Sequence, residues 1–318
     1  MLRKHLALAL AALTAVACLA LSAGCSSHGS TQGAKSDASG KVSVVASFYP
    51  MYDFAQKIGG DRVDVTCLVP AGTEPHDWEP STADMKAIAD ARVLVYSGAG
   101  MERWVDDVTG AVGNKDLVTV EASQGVDLLP AAEDGDKDEA DHDHGQYDPH
   151  VWLSPANAKV EMANIRDALI KVDPAGQRTY EENYEKYAGM LDDLDQKYAE
   201  KLAGTASKDI VVSHQAFGYL CDRYGLTQVP IEGIEADSEP DARTMAKIVD
   251  FVKEHGTKTI FSEELVSPKA AQAISDETGA ALEVLNPLEG LTDEQIAAGE
   301  DYFSVMESNL DKLVRALS

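Results

Sequence analysis

Eight histidines are spread through this 318-residue chain, and three stand where an imidazole could do chemistry. His76 lies in EPHDWEPS, shortly after the apolar run VTCLVP. His150 lies in YDPHVWLSP, and His214 follows the β-branched run IVVS directly, in VVSHQAFGYL, where the chain turns toward a helix. Neutral imidazole is the commonest metal ligand, and one carboxylate added to three imidazoles makes a tetrahedral zinc shell. The other five read as ordinary. His5 lies in an apolar leader and His28 in a Ser/Gly-rich stretch, while His255 ends a helical pattern before Gly256, where an imidazolium suits the helix dipole. His142 and His144 belong to the acidic stretch 133–148, EDGDKDEADHDHGQYD, which cannot bury a core and offers at most weak metal gathering. A lone histidine is more often structural; three in such contexts favour a shared metal site.

For a fourth ligand, the turn after residues 282–285 reads NPLEGL, and Glu289 is its only carboxylate. Glu263 and Glu264, after TIFS, compete for the role, although ahead of Pro268 they read more simply as carboxylates at the start of a helix. Water is the remaining alternative. A zinc hydrolase would keep an open position for water beside a base. The chain has no HExxH helix, no GxSxG and no Gly-rich phosphate loop, so capture is expected rather than catalysis.

The elements that must position these residues form a repeated pattern. Strand-like runs at 42–46, 63–69, 93–96 and 117–120 alternate with helical stretches, and runs at 210–213, 228–231, 259–262 and 282–285 do the same. Such alternation predicts parallel sheets covered by helices. The fold class expected is therefore α/β, with two lobes, 41–173 and 205–318, each holding a parallel sheet. A single rigid helix over 174–204 joins them: Asp173 suits an N-cap, Pro174 the first turn and Gly204 a stop. Along it Tyr180, Tyr184, Tyr187, Leu191, Leu194, Tyr198 and Leu202 recur at spacings of three and four, a stripe for core packing. At 1.5 Å per residue it would reach about 45 Å and brace both lobes, permitting only small closing motions. Ligands of parallel α/β folds bind at the carboxyl ends of strands. His76 and His214 occupy such ends in opposite lobes.

Residues 1–24 read as a secretory signal: Arg3 and Lys4, an apolar run too short for a membrane span of roughly 20 residues, then Ser22-Ala23-Gly24 before Cys25. The order resembles a bacterial lipobox with Cys25 as the lipidated residue, although Leu21 stands one position earlier than is usual. Residues 25–40 are composed as a flexible tether. The formal charge is −27. Such a surface repels nucleic acid and anionic lipid headgroups, so contact with a membrane is expected only through the anchor. Cys67 and Cys221, each in an apolar stretch, read as buried small hydrophobes, with a bridge between them as the alternative.

Four segments, EPHDWEPS, DPHVWLSP, VVSHQAFGYLCDRYGL and LNPLEGL…GEDYFSVMESNL, resemble the signatures of cluster A-I metal-binding receptors of ABC importers, of the ZnuA and AdcA type. The similarity covers residue 41 to the C-terminus. It implies two α/β lobes joined by one long helix with metal held between them. It also implies His76, His150 and His214 as ligands, and an ABC permease as the partner of a monomeric receptor. The manganese receptors typically carry Glu at the position of His214, and an Asp where Asn286 stands here; three imidazoles and a carboxylate suit zinc better than manganese. A manganese or iron receptor and a surface adhesin, a role some members are assigned, are the alternatives. The zinc members' His-rich loop corresponds to the short version holding His142 and His144.

Overall fold

The computed structural model describes residues 40–131, 146–234, 236 and 240–318. Its first half is a four-stranded sheet of β1 (Val42–Ala46), β2 (Val63–Cys67), β3 (Val93–Tyr96) and β4 (Val118–Glu121). The strands are parallel, in the order β2-β1-β3-β4, with Val44 beside both Val65 and Val93. Runs such as VSVVA favour this state because β-branched side chains are stiff at χ1 and pack well on a pleated surface. Helices α1 (Tyr49–Gly59), α2 (Thr82–Asp90) and α3 (Val105–Val112) make the crossovers.

The second half repeats the plan. Strands β5 (Asp209–Val212), β6 (Thr227–Pro230), β7 (Thr259–Ser262) and β8 (Ala281–Val284) form a parallel sheet in the order β6-β5-β7-β8. In both sheets the chain lays one neighbour beside the first strand and then switches to its other side, which opens a crevice at the strands' carboxyl ends. Between the halves run α4 (Pro155–Val172) and α5 (Gln177–Ala203), packed on each other; α6 (Gly218–Tyr224), α7 (Ala242–His255), α8 (Lys269–Thr278), α9 (Asp293–Ala298) and α10 (Tyr302–Leu317) complete the second half.

The long helix departs from expectation at its start. Pro174–Gly176 is a 3-10 turn, and α5 begins at Gln177. The Asp173 side chain does not cap it: its Oδ2 accepts from Arg62 Nη2 at 2.7 Å and Tyr180 Oη at 2.8 Å. At 27 residues, α5 is about 40 Å long. It touches α1 and α4 as well as α6 and α10, so it packs against both halves. Tyr180, Leu191, Leu194, Tyr198 and Leu202 are buried along it, in one apolar core that also contains Phe54 of α1 and Leu313 of α10. The outer faces of the sheets have cores of their own, around Ile88 and Leu94 and around Ile248 and Ile260. The start of α10 crosses over: the Tyr302 ring meets Phe54 edge-on at 5.0 Å and its hydroxyl donates to Trp152 O at 2.7 Å.

Cys67 and Cys221 are both free thiols. Burial pushes the Cys67 thiol up to about 12 and the Cys221 thiol higher still, so neither is a reactive thiolate. No helix among the described residues is long and apolar enough to cross a membrane.

Candidate metal centre

His76 stands in the loop after β2. Both oxygens of Glu74, two residues earlier, accept from its backbone N–H, at 3.0 and 3.1 Å. His150 is held in the same way. Asp148 Oδ1 accepts from its backbone N–H at 2.9 Å and also from its Nδ1 at 2.8 Å, before Val151–Leu153 turns into α4. His214 leaves the end of β5, where Glu263, from the end of neighbouring β7, accepts from its Nδ1 at 2.7 Å. Glu289 is carried by the turn after β8. There Asn286 Oδ1 accepts from Leu288 N–H at 2.7 Å, Leu288 takes a positive φ of 61°, and Asn309 of α10 brackets the backbone N–H and C=O of Asn286. Trp152 ties this turn to the first half, its indole N–H donating to Pro287 O at 2.8 Å.

The four side chains meet at one point. Glu289 Oε1 lies 3.1 Å from His76 Nε2, 3.0 Å from His150 Nε2 and 3.1 Å from His214 Nε2. The His150 Nε2 is 3.2 Å from each of the other two. All the offered atoms lie within 4.8 Å of one another. A tetrahedral ion with bonds of about 2.0–2.1 Å needs ligand atoms about 3.3 Å apart. Five of the six edges are near that length before any ion enters. His150, His214 and Glu289 are buried and His76 is nearly so.

The electrostatics are those of a site shaped for a cation. Burial disfavours the charged form of His150, but hydrogen bonds to Asp148 and Glu289 outweigh it and hold the imidazole above its ordinary range. Burial likewise opposes protonation of His214, and the charges of Glu263 and Glu289 outweigh it strongly. Glu289 would be raised by burial; the His214 charge and hydrogen bonds from all three imidazoles instead hold it well below the usual carboxylate range. Since Nδ1–H of His150 and His214 points at a carboxylate, the Nε2 lone pair is the one turned inward.

The structure thus brings together His76, His150, His214 and Glu289, and it moves Glu263 to a different place. Glu263 and Glu264 do not start a helix: α8 begins at Lys269 with no acid in its first turn. Glu263 orients His214 from the far ring nitrogen, and Glu264 lies near Gln295, its Oε1 3.5 Å from the amide nitrogen. Asn286 is committed to shaping its turn. Cys25, His142 and His144 lie outside the described residues. Asp148 and Glu74 were not singled out beforehand, yet both belong to an acid-Pro-His triplet, Glu74-Pro75-His76 and Asp148-Pro149-His150, and that repetition is a readable signal.

Residues 44–316 match the family model described as zinc-uptake complex component A, periplasmic. The chain is similar to the high-affinity zinc uptake system protein ZnuA of Bacillus subtilis (strain 168), 42% identical over 310 residues that cover 95% of each. Among solved structures it resembles the Zn(II)-bound ZnuA-like domain of Streptococcus pneumoniae AdcA, with a TM-score of 0.76 and 40% identity over 87% of this chain and 99% of that one. It spans 56% of the full-length AdcA lipoprotein of that organism. It also resembles the laminin-binding protein of Streptococcus agalactiae, described as bifunctional with adhesin and metal transporting activity, with a TM-score of 0.78 and 35% identity over 87% of this chain and 100% of that one.

Proposed function

Because the chain belongs to the ZnuA family of zinc-uptake components, we propose that it is an extracytoplasmic receptor that captures Zn2+ and delivers it to the permease of an ABC importer. The observation that carries this reading is the convergence of three imidazole nitrogens and one carboxylate oxygen at tetrahedral spacing. His76, His150, His214 and Glu289 are the ligands in this reading. Three nitrogens and one oxygen suit zinc over the harder manganese ion. Capture involves no bond-making beyond coordination: zinc displaces protons from Nε2, Asp148 and Glu263 keep the rings aimed, and Glu289 neutralises part of the charge. With Glu289 in the fourth position, no water is held for hydrolysis. The lobes 41–173 and 205–318, with 174–204 between them, tighten slightly around the ion, and the loaded monomer docks on the permease.

The test is titration of zinc and of manganese into metal-free protein against a competing chelator, with metal content measured by elemental analysis. One tight zinc site, lost in His214→Ala, is the expected result; equal affinity for manganese, or tight zinc binding without His214, would falsify the ligand set. Cys25 carries the lipid and residues 25–40 the tether, which keeps the receptor concentrated beside its permease. His142 and His144 gather zinc weakly, so deleting residues 133–146 removes any weak second site and spares the tight one. A second reading, adhesion, is favoured by the likeness to the laminin-binding protein. It predicts attachment that survives loss of all three histidines.

A further inference from the structure

His150 belongs to the first half and is aimed by Asp148, whose Oδ1 accepts from its backbone N–H at 2.9 Å and from its Nδ1 at 2.8 Å. The residues that hold Asp148 come from the second half. Its other carboxylate oxygen, Oδ2, lies against Gly218, the first residue of α6. A Cβ added to Gly218 would stand 2.2 Å from that oxygen, well inside contact distance. The backbone does not demand glycine there, because Gly218 takes no positive φ. In a helix alanine is otherwise the favoured residue. The missing side chain is therefore space given to the Asp148 carboxylate, and Asp148 is buried, so a displaced carboxylate has no solvent to swing into.

Tyr219, next in the chain, holds the same residue by its backbone. Its hydroxyl donates to Asp148 O at 2.8 Å and accepts from Leu129 N–H at 3.1 Å, while Asp148 N–H donates to Leu129 O at 2.9 Å. The Tyr219 side chain is buried with Ala99 and Val151 of the first half, and Val151 follows His150 directly. With His150 read as a zinc ligand, on which this step rests, we infer that Gly218 and Tyr219 are positioning residues of the metal centre. The second half seats Asp148, and through it aims a ligand that the first half contributes. The aim of His150 then depends on the two halves being docked at α6.

The experiment measures zinc affinity by chelator competition in the full chain and in Gly218→Ala, Tyr219→Phe, Asp148→Ala and the double variant Gly218→Ala with Asp148→Ala. Thermal unfolding of each apo protein shows that it has folded. In Gly218→Ala the new methyl should push the Asp148 carboxylate off His150 and weaken zinc ~10–100-fold, the range typical for loss of such a partner. In the Asp148→Ala background there is no carboxylate to push, and the same change should cost less than about twofold. Co2+ in place of zinc has a visible absorption that reports the geometry of its ligands. Its spectrum in Gly218→Ala should match that in Asp148→Ala rather than that of the wild type, whereas a glycine that only packed the helix would leave it unmoved. Tyr219→Phe should weaken zinc several-fold and shift the same spectrum. The inference is overturned if Gly218→Ala keeps wild-type zinc affinity, or if its loss recurs in full in the Asp148→Ala background. If Gly218→Ala does not fold, Tyr219→Phe decides, and wild-type affinity and spectrum in that variant overturn the inference. A wild-type chain without tight zinc binding would instead sink the metal reading itself.

Discussion

Two of the three converging imidazoles are aimed by a carboxylate on the opposite ring nitrogen, Asp148 for His150 and Glu263 for His214. Such partners set ring orientation and ligand basicity, and losing one typically costs ~10–100-fold in metal affinity. Glu263→Gln and Asp148→Asn are each expected to weaken zinc by about that factor, read by chelator competition. Glu289→Gln, which removes a charge from the shell itself, should weaken zinc more and narrow its preference over manganese. An unchanged zinc-to-manganese ratio in Glu289→Gln would make water the fourth ligand. The pH dependence has a definite sign. His150 and His214 bind protons more tightly in the folded apo protein than an ordinary imidazole of pKa ~6.5. Protons therefore stabilise the apo state as pH falls and compete with zinc for Nε2. Zinc affinity should begin to decline above pH ~6.5 on acidification, and a decline confined to lower pH would contradict the raised values. His76, His150 and His214 could be singled out from their neighbours because each sits in a short, distinctive segment. The true place of Glu263 could not: its partner is 49 residues away and meets it only because β5 and β7 are adjacent.

At the level of elements, all eight strands fall within a residue or two of where β-branched runs placed them, because each run is short and bounded by polar or turn residues. The start of the long helix was less readable. Asp173 and Pro174 look like a cap and a first turn, but Arg62, far away in sequence, competes for the same carboxylate, and nothing local announces it. The tyrosine stripe of α5 hides a similar specificity. The buried Tyr198 hydroxyl donates to Met306 O at 2.6 Å, joining α5 to α10. Tyr198→Phe should destabilise the fold by about 1–3 kcal/mol, since a buried carbonyl loses its donor, and should leave zinc affinity unchanged. Thermal unfolding of the apo protein together with a zinc titration checks both parts; a large loss of zinc affinity would mean that this contact sets the separation of the halves.

For the molecule as a whole, the four converging groups divide evenly. His76 and His150 come from before α5 and His214 and Glu289 from after it, so among the described residues neither half alone offers more than two of this group. Zinc at about 100 times its Kd should raise stability by about 2.7 kcal/mol. Excess chelator should remove that gain, and the Tm difference between zinc-loaded and apo protein measures it. Seen mechanically, an ion taken by all four groups would be a rivet through two plates. Bound metal resists any motion that draws the halves apart, and α5 with its continuous core leaves no loose joint through which one plate could swing aside. Letting the cargo go and parting the plates become a single event. On the proposed reading, a permease that unloads the chain is expected to grip both halves at once, on a surface that spans the seam between them.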